Sequence, residues 1–145
     1  MKKIQSRFGE IEYDPANTLL FPAGLVGFER LRHFVVMPNE KEGPLFWIQS
    51  VEDPMVAFVL TDPTDFFLDY AATPGPRERD KLKIDAADPC LVVSVVTVPA
   101  DRNITLNLAA PIFFAPTTNR AIQVILEGTE YSPRTPLPEV EPAKG

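Results

Sequence analysis

Cysteine occurs once in this 145-residue chain, at Cys90, and histidine once, at His33. One cysteine permits no intrachain disulfide and no Cys-based zinc site, a pattern that fits a reducing compartment. One histidine gives a Ser-His-Asp triad or a His-based metal centre a single residue to rest on, with no nucleophile motif or second ligand beside it. His33 stands next to Phe34 at a predicted helix-to-strand junction, where a structural role is the simpler reading. Long apolar runs are missing too. The longest, residues 90–98, is broken by Ser94 and Thr97 and falls short of the ~20 residues a membrane helix needs. Met1-Lys2-Lys3-Ile4 has the basic start of a signal peptide, but Gln5, Ser6, Arg7 and Glu10 interrupt any apolar core, so no cleaved signal is expected. Gly24-Leu25-Val26-Gly27 has neither the spacing nor the lysine of a phosphate loop. Positive charge is scarce: 14 Lys and Arg stand against 20 Asp and Glu, a formal net charge of -6. Phosphate backbones repel such a surface, whereas a basic protein partner is drawn to it.

What the chain does have is apolar residues, at 45%, and 16 prolines. Asp-Pro recurs at Asp14-Pro15, Asp53-Pro54, Asp62-Pro63 and Asp88-Pro89. Asp bonds its own backbone two residues on and Pro fixes φ, so each pair marks a turn. Short runs of Val, Ile, Phe and Thr lie between these marks, predicting a mostly β domain, a small antiparallel barrel-like one with short helices. Hairpin arms are predicted at 4–7 and 10–13, strands at 18–21, 34–37, 45–51 and 56–61, and a buried central strand at 91–98. Residues 106–114 and 121–127 read as a long hairpin, with Pro111 on an edge or bulge. Leu25, Phe28 and Leu31 are spaced for two helical turns within 24–34, and residues 77–82 for another short helix. Residues 38–44 form a charged loop. The tail from 132 is expected to be extended and partly disordered, with 1–137 as one domain and 138–145 a flexible acidic tail. The central feature is Phe46-Trp47-Ile48-Gln49-Ser50-Val51-Glu52-Asp53-Pro54-Met55-Val56-Ala57-Phe58, two apolar strands around a charged turn that carry the only tryptophan.

No constellation reads as enzyme chemistry. Asp62-Pro63-Thr64-Asp65 is a turn with a helix N-cap rather than a carboxylate pair. Glu10 and Glu12 share the solvated face of a hairpin. Arg77, Arg79, Lys81 and Lys83, interleaved with Glu78 and Asp80, lack the aromatics of an RNA-binding patch. Phe8 at a hairpin tip and the pair Phe113-Phe114, on opposite strand faces, cannot all point into one simple core. An exposed aromatic on a rigid sheet is a protein-binding anchor. The alternative is that helices or the tail cover the second face.

Three segments carry a family resemblance: Arg7-Phe8-Gly9-Glu10-Ile11-Glu12-Tyr13, Phe21-Pro22-Ala23-Gly24-Leu25-Val26-Gly27-Phe28-Glu29, and Phe46 through Pro54. They are followed in order by Val95-Val96-Thr97-Val98-Pro99, Thr105-Leu106-Asn107-Leu108-Ala109-Ala110-Pro111-Ile112 and Gln123-Val124-Ile125-Leu126. The chain resembles the bacterial flagellar assembly factor FliW over nearly its whole length. It departs from that pattern at 72–82, which is richer in proline and basic residues, and in the tail 139–145. The resemblance implies a cytoplasmic, non-enzymatic protein without cofactor or metal. Such a protein binds flagellin and, when free, binds and allosterically antagonises the dimeric translational repressor CsrA, relieving repression of flagellin translation. It is expected to be a monomer that touches neither nucleic acid nor membrane. On this reading Phe8 and Ile112 serve as apolar anchors, Glu10 and Asp53 meet basic groups, Gln49 and Asn107 bond partner backbone, and Pro111 belongs to the same late segment; Trp47 is read as core. The rival readings are a small nucleic-acid-binding β-barrel, opposed by the net charge, and a hydrolase built on His33, for which no substrate suggests itself.

Overall fold

The computed structural model describes residues 2–6, 9–37, 45–98 and 103–137. A first hairpin, β1 (Lys2–Ser6) and β2 (Gly9–Tyr13), forms a two-stranded sheet of its own. The remaining strands are β3 (Leu19–Leu20), β4 (His33–Met37), β5 (Leu45–Ser50), β6 (Ala57–Thr61), β7 (Leu91–Thr97), β8 (Thr105–Leu106), β9 (Ile112–Ala115), β10 (Arg120–Gln123) and β11 (Thr135–Pro136). They pair in the order β11-β8-β7-β6-β5-β4-β3-β10-β9, and β9 returns to β7. Seven strands, β3 to β7 with β9 and β10, thus close on themselves as the mostly β barrel the sequence predicts. All ladders are antiparallel except the short parallel contact of β3 with β10.

Closure depends on β7 dividing one of its edges between two partners. Its first half pairs with β9, Leu91 opposite Phe114 and Val93 opposite Ile112, and its second half pairs with β8, Val96 opposite Leu106. The other edge is taken by β6. This is the central position expected from the β-branched run at 91–98. Strand alternation then sorts the apolar residues into layers. Phe34, Ile48, Leu60, Val93, Ile112 and Ala121 fill the barrel, with Phe21 edge-on against Phe34 at 5.2 Å. The opposite side chains of the same strands are also apolar, and two covers bury them. The helix α1 (Pro76–Leu82) sets Leu82, with Ile84 just beyond it, on Phe113, Ala115 and Ile122. Tyr70, Phe66, Phe67, Tyr131 and Leu137 lie over Val59, Val96 and Leu106. Phe114 packs against the barrel core and Phe113 under α1, so the second face is covered rather than offered to a partner.

A seven-residue helix does not hold by itself in water. Pro76 starts α1, Glu78 accepts the Gly75 N–H at 2.9 Å, and the Thr118 hydroxyl donates to the Leu82 carbonyl at 2.7 Å.

Four expectations change. Residues 24–34 hold no helix. Leu25 and Phe28 pair as an isolated bridge, with Gly24 and Gly27 at φ 68° and 85°, outside the right-handed helical range. A side chain at Gly24 would stand 2.6 Å from the Glu29 Cα. The apolar spacing there serves a tight turn that puts Leu25 and Leu31 on the core and Phe28 against Phe58. The long late hairpin is shorter than predicted, because Leu106 belongs to β8, which pairs with the half of β7 that β9 does not. Pro111 lies on no edge: it directly precedes the central strand β9, fully buried, and its carbonyl accepts the Val124 N–H. Residues 132–137 are docked, with Thr135 opposite Leu106 and Leu137 in the cover layer. The charged loop 38–44 and the acidic tail 138–145 lie outside the described residues.

Burial raises the Tyr70 hydroxyl from its ordinary 10.0 to about 12, with the nearby Tyr131 adding to the shift. Neutral Tyr70 donates to the Leu108 carbonyl at 2.9 Å. A pKa raised on folding gives stability that is full below pH 10 and is lost as pH climbs toward 12. Urea unfolding of the parent chain should weaken across that window and that of Tyr70→Phe should do so less. At pH ~7 the variant should lose about 1 kcal/mol, the worth of one buried hydrogen bond.

Candidate protein-binding surface

The turn between β5 and β6 is fixed from beneath. Gln49 is 0% exposed, and its amide nitrogen lies 3.1 to 3.3 Å from the carbonyls of Ser50, Asp53, Pro54 and Val56. The Ser50 hydroxyl accepts the N–H groups of Glu52 and Asp53, and the Asp53 carboxylate accepts that of Met55. The Gln49, Ser50 and Asp53 side chains thus all bond within the corner, and Met55 projects from the tip, 72% exposed.

Glu52 joins this corner to the start of β4. It accepts the backbone N–H groups of Arg32 and His33 and faces the His33 Nδ1 at 3.1 Å. Desolvation pushes its carboxyl up, but the His33 backbone and ring and the Arg32 N–H outweigh that and hold it below the ordinary value of 4.5. His33 is therefore the partner of a structural carboxylate, not the centre of a triad. Burial likewise raises the Cys90 thiol against the pull of Arg79 and of the Phe114 N–H, which leaves it protonated and unreactive at neutral pH. Among the described residues no group of three or more His, Cys, Asp or Glu could hold a metal ion.

The residues expected to meet partners fall into three groups. Gln49, Pro111 and Ile112 are buried, Gln49 as the clamp of its own turn and Ile112, at 1% exposure, as barrel core, so in this structure their side chains face inward. Glu10, Asp53 and Asn107 keep a solvent-facing share. Glu10 is exposed on β2, with Lys3 at 3.8 Å; Asp53 caps the corner; Asn107 is half-buried and accepts the Ala110 N–H at 3.0 Å. They stand on three separate elements rather than in one cluster. Phe8 lies outside the described residues, and Trp47, read as core, is half-buried on the barrel's outer side opposite Met37 and Val59. The sequence reading passed over Glu52 and Met55. The charged turn itself was visible, but nothing in it told the acid tied back to β4 from the acid that caps the turn.

Closed on itself and covered on its outer face by α1 and the segments around Tyr70 and Tyr131, the fold defines a small β-barrel protein. No helix among the described residues is long and apolar enough to cross a membrane. Comparison with known proteins gives the family. The model for FliW protein matches residues 2–137. The flagellar assembly factor FliW of Syntrophotalea carbinolica is 65% identical over 137 residues, covering 94% of this chain and 98% of the relative. FliW 2 of Desulfotalea psychrophila is 64% identical over 141 residues, covering 97% and 93%. A crystal structure of the flagellar assembly factor FliW superposes with a TM-score of 0.86 at 29% identity, covering 95% of this chain and 99% of that one. The chain belongs to the FliW family of flagellar assembly factors.

Two variants test the corner. Gln49→Leu keeps the volume but removes the donor from buried carbonyls, and should cost about 2–3 kcal/mol in denaturant unfolding with the β-sheet circular dichroism retained. Glu52→Gln should cost about 1 kcal/mol at neutral pH. A carboxyl lowered on folding gives stability that is present above its ordinary value and lost as pH falls through the lowered one. The parent should therefore lose more stability than Glu52→Gln on acidification below pH 4.5, followed by urea titration.

Proposed function

We propose that this chain is a cytoplasmic, non-enzymatic regulator of flagellar assembly. It binds flagellin, and when flagellin has been exported it binds and allosterically antagonises CsrA, so that flagellin translation resumes. Membership of the FliW family over residues 2–137 is the observation that carries this reading. The net charge of -6 supports it, because an acidic barrel docks on a basic RNA-binding protein and leaves negative charge beside the RNA surface. The corner supports it as well: a turn held rigid by Gln49 and Glu52 presents Asp53 and Met55 without a large ordering cost on binding. Asp53, Glu10 and Asn107 serve as the polar contacts. Met55 takes the anchoring role that buried Ile112 cannot fill.

Calorimetric titration with flagellin and with CsrA, singly and in competition, tests the proposal. Both should bind, flagellin should displace CsrA, and Met55→Asp should weaken at least one partner by about tenfold, a truncated hot spot being worth more than 1 kcal/mol. Binding of neither partner ends the proposal. Unchanged affinities in Asp53→Ala, Asn107→Ala and Met55→Asp would leave the partners in place and move the surface elsewhere.

A further inference from the structure

The two ends of the barrel differ. One is stopped by the 24–29 turn, with Leu25 in the core and Phe28 edge-on to Phe58 at 5.1 Å. The other opens into a cavity of about 290 Å³. Its floor is the barrel core, Phe21, Leu60 and Ile112, each at most 2% exposed. At its rim Val36 and Leu91 line the cavity, opposite the lumenal Ile48 and Phe114, and yet are 40% and 51% exposed. Aliphatic side chains that face a lumen and still meet water mark an open mouth.

Asp62 is the one charged residue among the described residues of the lining. Its Oδ1 accepts the Thr64 N–H at 2.9 Å and the Thr64 hydroxyl at 2.6 Å, which holds the carboxylate in the turn that borders the cavity. An apolar cavity of ~150 Å³ admits benzene, so a space nearly twice that size suits a fused bicyclic body of about ten non-hydrogen atoms. A rim carboxylate rejects fatty acids and other anions and favours a cationic or hydrogen-bond-donating head.

We propose that the open end of the barrel is a small-molecule site for compact apolar ligands with a cationic or donor head, such as arylalkyl amines. This is independent of flagellin and CsrA binding. The test uses three probes with one body and different heads, tryptamine, indole and indole-3-acetate, titrated into the intact chain and followed by amide chemical shifts. Tryptamine should give saturable shifts at Leu91, Val93 and Ile112 and bind about fivefold or more tightly than indole-3-acetate, the preference expected of one partly screened charge a few ångströms away. Asp62→Asn should remove the difference between probes. Leu91→Trp, which narrows the mouth at a half-exposed position, should abolish the shifts with the melting temperature kept; Val36→Trp serves if that variant does not fold. No saturation by any of the three overturns the proposal. So do shifts that map away from the cavity, affinities indifferent to head charge, or binding that survives the narrowed mouth.

Discussion

The fork in β7 is the constraint on which the rest of this structure depends. An open sheet leaves two edges whose backbone groups must be covered or paired elsewhere. Here one strand edge is shared, Leu91 to Val93 with β9 and Val96 to Thr97 with β8, while β6 pairs with Ser94 to Val96 along the other edge. The jog between β8 and β9 is what the fork requires. Asn107 turns the chain there by capping Ala110, and buried Pro111 enters β9 at a position where no N–H is needed.

Closure has a consequence for the outer surface. Strands that are apolar on both faces can line a barrel only if something covers the outside. The segment from Pro63 to Ile84 and the stretch through Tyr131 to Leu137 do this, and both are irregular or short because they are shaped by the strands beneath them. Little of the wall between these covers and the core is free to recognise anything. Exposed features include the clamped corner around Gln49, the first hairpin with Glu10, and the mouth rimmed by Val36, Leu91 and Asp62. A scaffold of this kind separates stability, held in the strands, from recognition, held where the chain reverses.

How far these features could be read in advance varied with their physical origin. Strand positions were legible because Asp-Pro pairs and β-branched runs act locally, and β4 through β7 fall within a residue or two of their predicted places. The turn at Gly24 was not, since the i, i+3 spacing of Leu25, Phe28 and Leu31 is the same for a helix and for a plug, and only the positive φ of two glycines separates them. The surface was the least legible part. Gln49 and Ile112 look alike as contact candidates on a strand pattern, and what buries them, a turn folded over one and a closed lumen around the other, is set by pairings between distant segments. Leu91 shows the reverse: it begins the most buried-looking run in the chain yet stands at the barrel mouth, because an apolar run does not say where a barrel ends.

The β7–β9 seam is what holds the barrel closed as one cooperative unit. Amide hydrogen exchange under increasing denaturant tests it most directly. If the account is right, the amides that pair β9 with β7 around Val93 and Ile112 exchange only through global unfolding, with the same free energy and the same denaturant dependence as those of the β5–β6 ladder. Exchange of the β9 amides by local opening, well below the global unfolding free energy while β5 and β6 stay protected, would contradict it.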